Sequence, residues 1–192
     1  MRTVAVAEDE PITRMDICAM LEELGFSIAG EASDGFDAIE LCRRTKPDIA
    51  LLDVKMPVFD GLTAAETICR ENLATCVVML TAFSDEDIVA RAAEAGVTGY
   101  LVKPIDRSKL MPTIEVAYAQ ARRLRESREQ TAKAERQLRE DREIHKAQKL
   151  LALKLRCSDT ESYEQMRKMA MNKRVPLISI ARAVLAQEDG VK

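Results

Sequence analysis

Short runs of apolar, often β-branched residues recur through the first half of the chain, separated by longer stretches with an apolar position every third or fourth residue. The runs TVAVA (3–7), FSIAGEA (26–32), IALLD (49–53), VVMLT (77–81) and YLV (100–102) have the length and composition of strands. The stretches near 11–24, 35–46, 61–71 and 85–95 have helical spacing. In the first of them Ile17, Met20, Leu21 and Leu24 form a stripe that would cover one side of a sheet. This alternation predicts an α/β fold, a doubly wound five-stranded parallel sheet with helices on both faces. Gly25, Gly96 and Gly99 follow helical stretches, where a left-handed cap or a tight turn back to the sheet is expected.

From about residue 107 to 155 the pattern changes: no glycine and one proline, Pro112, interrupt a helical composition. Leu110, Ile114, Ala117, Ala121 and Leu124 form a seam, but the same steps then land on Arg128, Thr131, Glu135, Leu138 and Arg142. Such a seam is too polar for a self-standing coiled coil, so residues 121–144 read as a long solvated helical linker that pairs when something else brings two copies together. Two further helices follow. Asp159 or Thr160 can cap one that runs to about Asn172, and Pro176 can open PLISIARAVL. The tail is therefore expected to be a small three-helix all-α domain.

Composition narrows the class. With 192 residues and 47% hydrophobic content, the chain can hold one full domain and an appendage. Its apolar runs fall far short of the roughly 20 residues of a membrane span, and MRTVAVAEDE lacks a signal-peptide core, so a cytoplasmic protein with no membrane partner is expected. Five cysteines without a CxxC pair suggest neither a disulfide framework nor a zinc site, and His145 has no metal-sharing neighbour. Charge is divided unevenly. Residues 1–118 carry 11 Lys/Arg against 21 Asp/Glu, and residues 119–192 carry 18 against 11. An acidic half suits a metal or a basic partner; a basic half suits a polyanion.

Ligands of a doubly wound sheet bind at the carboxyl ends of its strands. Those ends carry Glu8 and Asp9, Asp53, Thr81 and Lys103. Any one of them could be an ordinary turn residue, but together they fit phosphoryl transfer onto a carboxylate. One aspartate can act as nucleophile, an acidic pair can hold Mg²⁺, and a hydroxyl and an ammonium can bind the transferred oxygens. Like charges about 4 Å apart repel by on the order of 4 kcal/mol at an effective dielectric of 20, so an acyl phosphate here requires a divalent cation.

The segments AEDE, LLDVKMPVFDG, TAFS and YLVKP together resemble the receiver domain of two-component response regulators, over about residues 1–120. The resemblance implies Asp53 as phospho-acceptor, with Mg²⁺ held by Asp9, Asp53 and the Lys55 backbone carbonyl and with Glu8 as outer acidic partner. It further implies Thr81 and Tyr100 as switch residues, Lys103 as the phosphate-pairing lysine, a cis Lys103–Pro104 peptide and a sensor histidine kinase as phosphodonor. Such a protein is a phospho-accepting signalling protein rather than an enzyme with a small-molecule substrate. Glu8 stands where the family more often has a second aspartate. Lys55 and Phe83 occupy positions that influence how water reaches the acyl phosphate, and a slowly hydrolysing site is expected.

The tail admits several readings: a dimerisation cap with Tyr163, Met166 and Ala170 as core, a grip on another protein, or a helix-turn-helix on DNA. IHKAQKLL, SYEQMRKMAM and PLISIARAVL resemble the ANTAR domain, the RNA-binding output module of transcription antiterminators, over about residues 131–187. Ala147, Leu151, Tyr163, Arg167, Ala170, Met171 and Ala181 fall on its pattern; Lys149, Ala152, Ser162 and Met166 depart from it. A basic tail with one aromatic beyond Tyr118 suits backbone and shape recognition of RNA hairpins more than an aromatic platform. Arg167, Lys168, Lys173 and Arg174 are the candidate RNA-binding residues. The combined expectation is a regulator in which phospho-Asp53 promotes a homodimer and RNA hairpin binding for antitermination.

Overall fold

The computed structural model describes residues 1–82 and 86–189. Its order is β1 (Thr3–Ala7), α1 (Pro11–Glu23), β2 (Ser27–Ala32), α2 (Gly35–Thr45), β3 (Ile49–Asp53), α3 (Gly61–Arg70), β4 (Cys76–Thr81), α4 (Glu86–Ala95), β5 (Gly99–Val102), α5 (Arg107–Leu155), α6 (Asp159–Lys173) and α7 (Leu177–Asp189). The five strands form one parallel sheet in the order β2-β1-β3-β4-β5. The expected α/β architecture is therefore present, followed by a long helix and a small helical bundle. The chain divides into two compact units, Met1–Glu126 and Ser127–Lys192.

Within the first unit the strand period of two splits the core. Val4, Val6, Leu51, Val78 and Leu80 face one side, where Ile17 and Leu21 of α1 and Leu110, Ile114, Ala117 and Ala121 of α5 pack on them. Ala5, Ala7, Leu52 and Met79 face the other side, under Ala38, Leu41, Ala65 and Ile68. The expected seam thus packs as far as Ala121; Leu124 is 44% exposed. Between Val4 and Ala5 the β1–β2 register slips by one residue, a bulge that shifts which β2 side chains share a face.

Gly25 and Gly96 take positive φ, as helix-end glycines should. Gly99 does not: it opens β5, and a Cβ there would lie 2.8 Å from the Ala117 Cβ, so its role is close approach of strand to helix. Several helix ends use non-glycine left-handed residues instead, including Lys46 and Arg174.

In the second unit Ala147, Met166, Ala170, Ile180 and Ala181 form the buried core, with Ile144, Leu151, Leu177 and Val184 packed against it. The N-cap of α6 is Ser158, not Asp159 or Thr160. Its side chain accepts from the Glu161 N–H, and Glu161 accepts from the Ser158 N–H, a capping box. Tyr163, expected in this core, is instead 39% exposed, and the inner stripe is Ser162, Met166 and Ala170. The Ser162 hydroxyl donates to the Asp159 carbonyl at 2.8 Å, which offsets the desolvation of its burial.

Candidate functional site

The strand order reverses between β1 and β3, and the carboxyl ends of these two strands carry the acidic residues. Asp53 closes β3, Thr81 closes β4, Glu8 and Asp9 follow β1, and Lys103 follows β5. The geometry brings Glu8, Asp9, Asp53 and Lys103 together. Each of the three carboxylates offers an oxygen within 4.8 Å of the others. Lys103 Nζ lies 2.7 Å from Glu8 Oε2 and 2.9 Å from Asp53 Oδ1.

Burial differs sharply across this cluster. Glu8 is 1% exposed and Asp53 6%, whereas Asp9 is open to solvent. Burial raises the Glu8 carboxyl above its usual range and the nearby Asp53 adds to the rise, with Lys103 opposing both. For Lys103 burial alone would lower the ammonium, but the two carboxylates outweigh it and the net direction is upward. Glu8 Oε2 is buried with the ammonium close by but no donor aligned to it. Such an oxygen is well suited to a cation, and with its two neighbours it makes an all-oxygen donor set for a hard divalent ion.

Local sequence explains why the loop can close so tightly. The Gly61 N–H donates to the Val54 carbonyl at 2.9 Å, and a Cβ on Gly61 would fall 1.8 Å from the Asp53 carbonyl oxygen. Only glycine lets α3 begin against the backbone of Asp53. Asp60 caps that helix by accepting from the Thr63 N–H. Val58 holds a φ of 66°, an unusual conformation for a β-branched residue, within the same MPVFDG loop.

Among the other expected site residues, Thr81 is buried and its hydroxyl donates to the Ala82 carbonyl at 3.1 Å. Tyr100 lies on β5 and is 54% exposed. The side chain of Lys55 is exposed, and Phe83 lies outside the described residues. The Lys103–Pro104 peptide is cis. Arg167, Lys168, Lys173 and Arg174 belong to the second unit and are all exposed. Two residues that sequence reasoning missed also touch this site: Gly61, legible as the glycine of FDG, and Arg14, which donates to the Glu8 carbonyl and carries no motif signal.

An acidic cluster bridged by one lysine at the switch point of a 2-1-3-4-5 sheet defines a phospho-accepting receiver domain. Comparison with known proteins agrees: the chain belongs to the response regulator receiver domain family, which it matches over residues 4–115, and it matches the ANTAR domain over residues 132–185. It is 39% identical to the transcriptional regulatory protein PdtaR of Mycobacterium tuberculosis, over 96% of this chain and 89% of that protein. Among solved structures it resembles the signal receiver domain of a modulated diguanylate cyclase from Desulfovibrio desulfuricans, at TM-score 0.59 and 26% identity over 64% of this chain and 97% of that one. It also resembles the receiver domain of the sensor histidine kinase PA1611 from Pseudomonas aeruginosa, at TM-score 0.55 and 27% identity over 62% of this chain and 98% of that one. That structure has a magnesium ion coordinated in its active-site cleft. The Glu8, Asp9 and Asp53 cluster matches a receiver magnesium site, as expected. No helix among the described residues is long and apolar enough to cross a membrane.

Proposed function

We propose that Asp53 accepts a phosphoryl group from the phosphohistidine of a sensor kinase and that this event controls RNA binding by the tail. An Asp53 oxygen attacks phosphorus, the P–N bond breaks, and the neutral imidazole leaves after taking up a proton. Glu8, Asp9, Asp53 and the Lys55 carbonyl would hold magnesium, which when bound neutralises charge on the transferred oxygens. Lys103 is set to move its ion pair from the Asp53 carboxylate to the new phosphoryl oxygens, and the Thr81 hydroxyl is set to turn from the Ala82 carbonyl toward them. Tyr100 is the second switch residue. The observation that carries this reading is Lys103 bridging Glu8 and Asp53 at the strand ends.

The proposed division is a receiver at 1–120, a helical linker at 121–144 and an RNA-binding domain at 131–187. Homodimerisation would use the groove of about 430 Å³ lined by Ala92, Thr98, Gly99, Tyr100, Thr113 and Val116, since Val116 is 67% exposed and small residues admit a facing side chain. Two basic tails would then bind RNA hairpins and keep a terminator from forming. Among the described residues Arg167, Lys168, Lys173 and Arg174 have no carboxylate partner, in contrast with Arg182, which pairs with Glu143 at 2.7 Å. Tyr163 lies one turn before Arg167 on α6 and offers an exposed ring beside these charges.

The test is phosphorylation by acetyl phosphate with Mg²⁺, followed by light scattering and a gel shift on paired stem-loop RNA. Wild type should gain phosphate, mass and RNA affinity together, and Asp53→Asn should gain none of them. RNA binding that ignores both phosphate and salt would refute the reading. Loss of the phosphate within seconds would separately refute a slow-hydrolysing site.

A further inference from the structure

Glu8 and Asp9 flank a single planar peptide group, so the orientation of that plane, through the torsions on either side of it, helps set the directions in which both carboxylates leave the backbone. Asp9 has no hydrogen bond or ion pair to another group among the described residues, and its place in the acidic cluster therefore depends on how this peptide is held. The holding groups are visible. The Glu8 N–H, part of the preceding Ala7–Glu8 peptide, donates to the Ala32 carbonyl of β2 at 3.1 Å and anchors the Glu8 backbone. The carbonyl of the Glu8–Asp9 peptide itself accepts from Arg14 Nη1 at 2.6 Å, a charge-assisted bond from the first turn of α1.

Arg14 is itself held. Its Nε donates to Glu31 Oε2 at 3.1 Å, and its side chain is 18% exposed against 48% for Glu31. That partnership depends on the β1–β2 bulge. Ile28 pairs with Val4 and Glu31 pairs with Val6, so both share the α1 side of the sheet although they are three residues apart in sequence. In an unbroken strand an odd separation would put them on opposite faces. The extra residue in β2 turns Glu31 toward α1, where Arg14 waits.

The structure assigns Arg14 a positioning role toward the divalent-cation site: backed by Glu31, it fixes the Glu8–Asp9 peptide so that the two carboxylates converge with Asp53. This rests on the magnesium reading of the cluster. A bare counter-charge would act differently, because a guanidinium near the site repels a cation and its removal would tighten metal binding. A positioning group does the opposite, and residues that orient metal ligands typically change affinity about 10- to 100-fold.

The experiment measures Mg²⁺ affinity of the full chain by calorimetry, with Mn²⁺ as a paramagnetic check, for wild type, Arg14→Ala, Arg14→Lys and Glu31→Gln. Melting temperatures in EDTA are recorded beside them. Arg14→Ala should weaken Mg²⁺ about tenfold, Glu31→Gln should weaken it less, and Arg14→Lys should recover part of the loss, with weakening larger than any change in metal-free melting would account for. Unchanged or tighter Mg²⁺ binding in folded Arg14→Ala overturns the assignment. If that variant does not fold, unchanged affinity in both Arg14→Lys and Glu31→Gln overturns it. A wild-type chain that binds no Mg²⁺ would remove the magnesium reading itself, whereas wild-type binding with no effect of these variants would remove only the role of Arg14.

Discussion

Lys103 and Lys168 are the same residue type in two regions built on different rules. Lys103 sits at the edge of a two-sided core and is bridged to two carboxylates, one of them almost fully buried. Lys168 sits on a helix whose small core buries mainly Met166 and Ala170, and no carboxylate pairs with it among the described residues. Burial compels a charge to find a partner, because desolvation costs several kcal/mol per ion. Exposure removes that compulsion and leaves the charge free for a polyanion. The first unit thus stores its chemistry as a partly neutralised acidic cluster that a phosphoryl group can reorganise, and the second displays its charge to solvent.

The comparison can be broken first at Lys103. Lys103→Ala leaves Glu8 and Asp53 without their counter-ion and should cost about 3–5 kcal/mol in metal-free denaturant unfolding. Millimolar Mg²⁺ should restore much of that stability, since a cation can take over the same carboxylates. The matching test in the second unit is Met166→Ala, which empties the centre of a small core and should cost about 2–4 kcal/mol. Hydrogen exchange should then show α6 and α7 opening while phosphate uptake at Asp53 persists.

Reversing Arg167 and Lys168 to glutamate sharpens the contrast, because exposed charges contribute little to folding. Stability should change by about 0.5 kcal/mol or less, while RNA affinity falls and its dependence on salt weakens by roughly one unit of log slope for each RNA phosphate that is no longer neutralised. The most local effect belongs to the capping box. Hydrogen bonds from Ser158 lower the Glu161 carboxyl below its ordinary value of 4.5, so its contribution is present above that value and is lost as pH falls through the lowered pKa. Circular dichroism of α6 should show the loss below pH 4.5, and Ser158→Ala should cost about 1 kcal/mol at neutral pH.

Much of the first unit was legible because parallel strands buried on both faces read as apolar runs. IALLD matches β3 residue for residue, and the other strands match within one. The strand-end residues were legible for a topological reason: a doubly wound sheet gathers its carboxyl ends whatever the side chains. The exposure of Tyr163 is not legible in the sequence, because the stripes 163, 166, 170 and 162, 166, 170 share two members and helical spacing alone does not say which flank faces inward. Ser162 takes the inner flank because a small residue suits tight helix packing and its hydroxyl has a local acceptor. The Ser158 cap was available in the S-x-x-E pattern that Ser158 and Glu161 complete.

What the sequence determined by itself was whatever local periodicity and topology dictate: the alternation of strands and helices, the placing of Glu8, Asp9, Asp53, Thr81 and Lys103 at the carboxyl ends of strands, and the separation of acidic and basic halves. Tertiary structure decided what depends on a second element approaching. Gly61 must admit the Asp53 carbonyl, Ser162 rather than Tyr163 must face the α6 core, and a bulge between β1 and β2 must turn Glu31 toward Arg14. The physical reason is range. Periodicity is a property of neighbours along the chain, whereas a shared face, a close approach and an ion pair between distant residues exist only once the chain has folded back on itself.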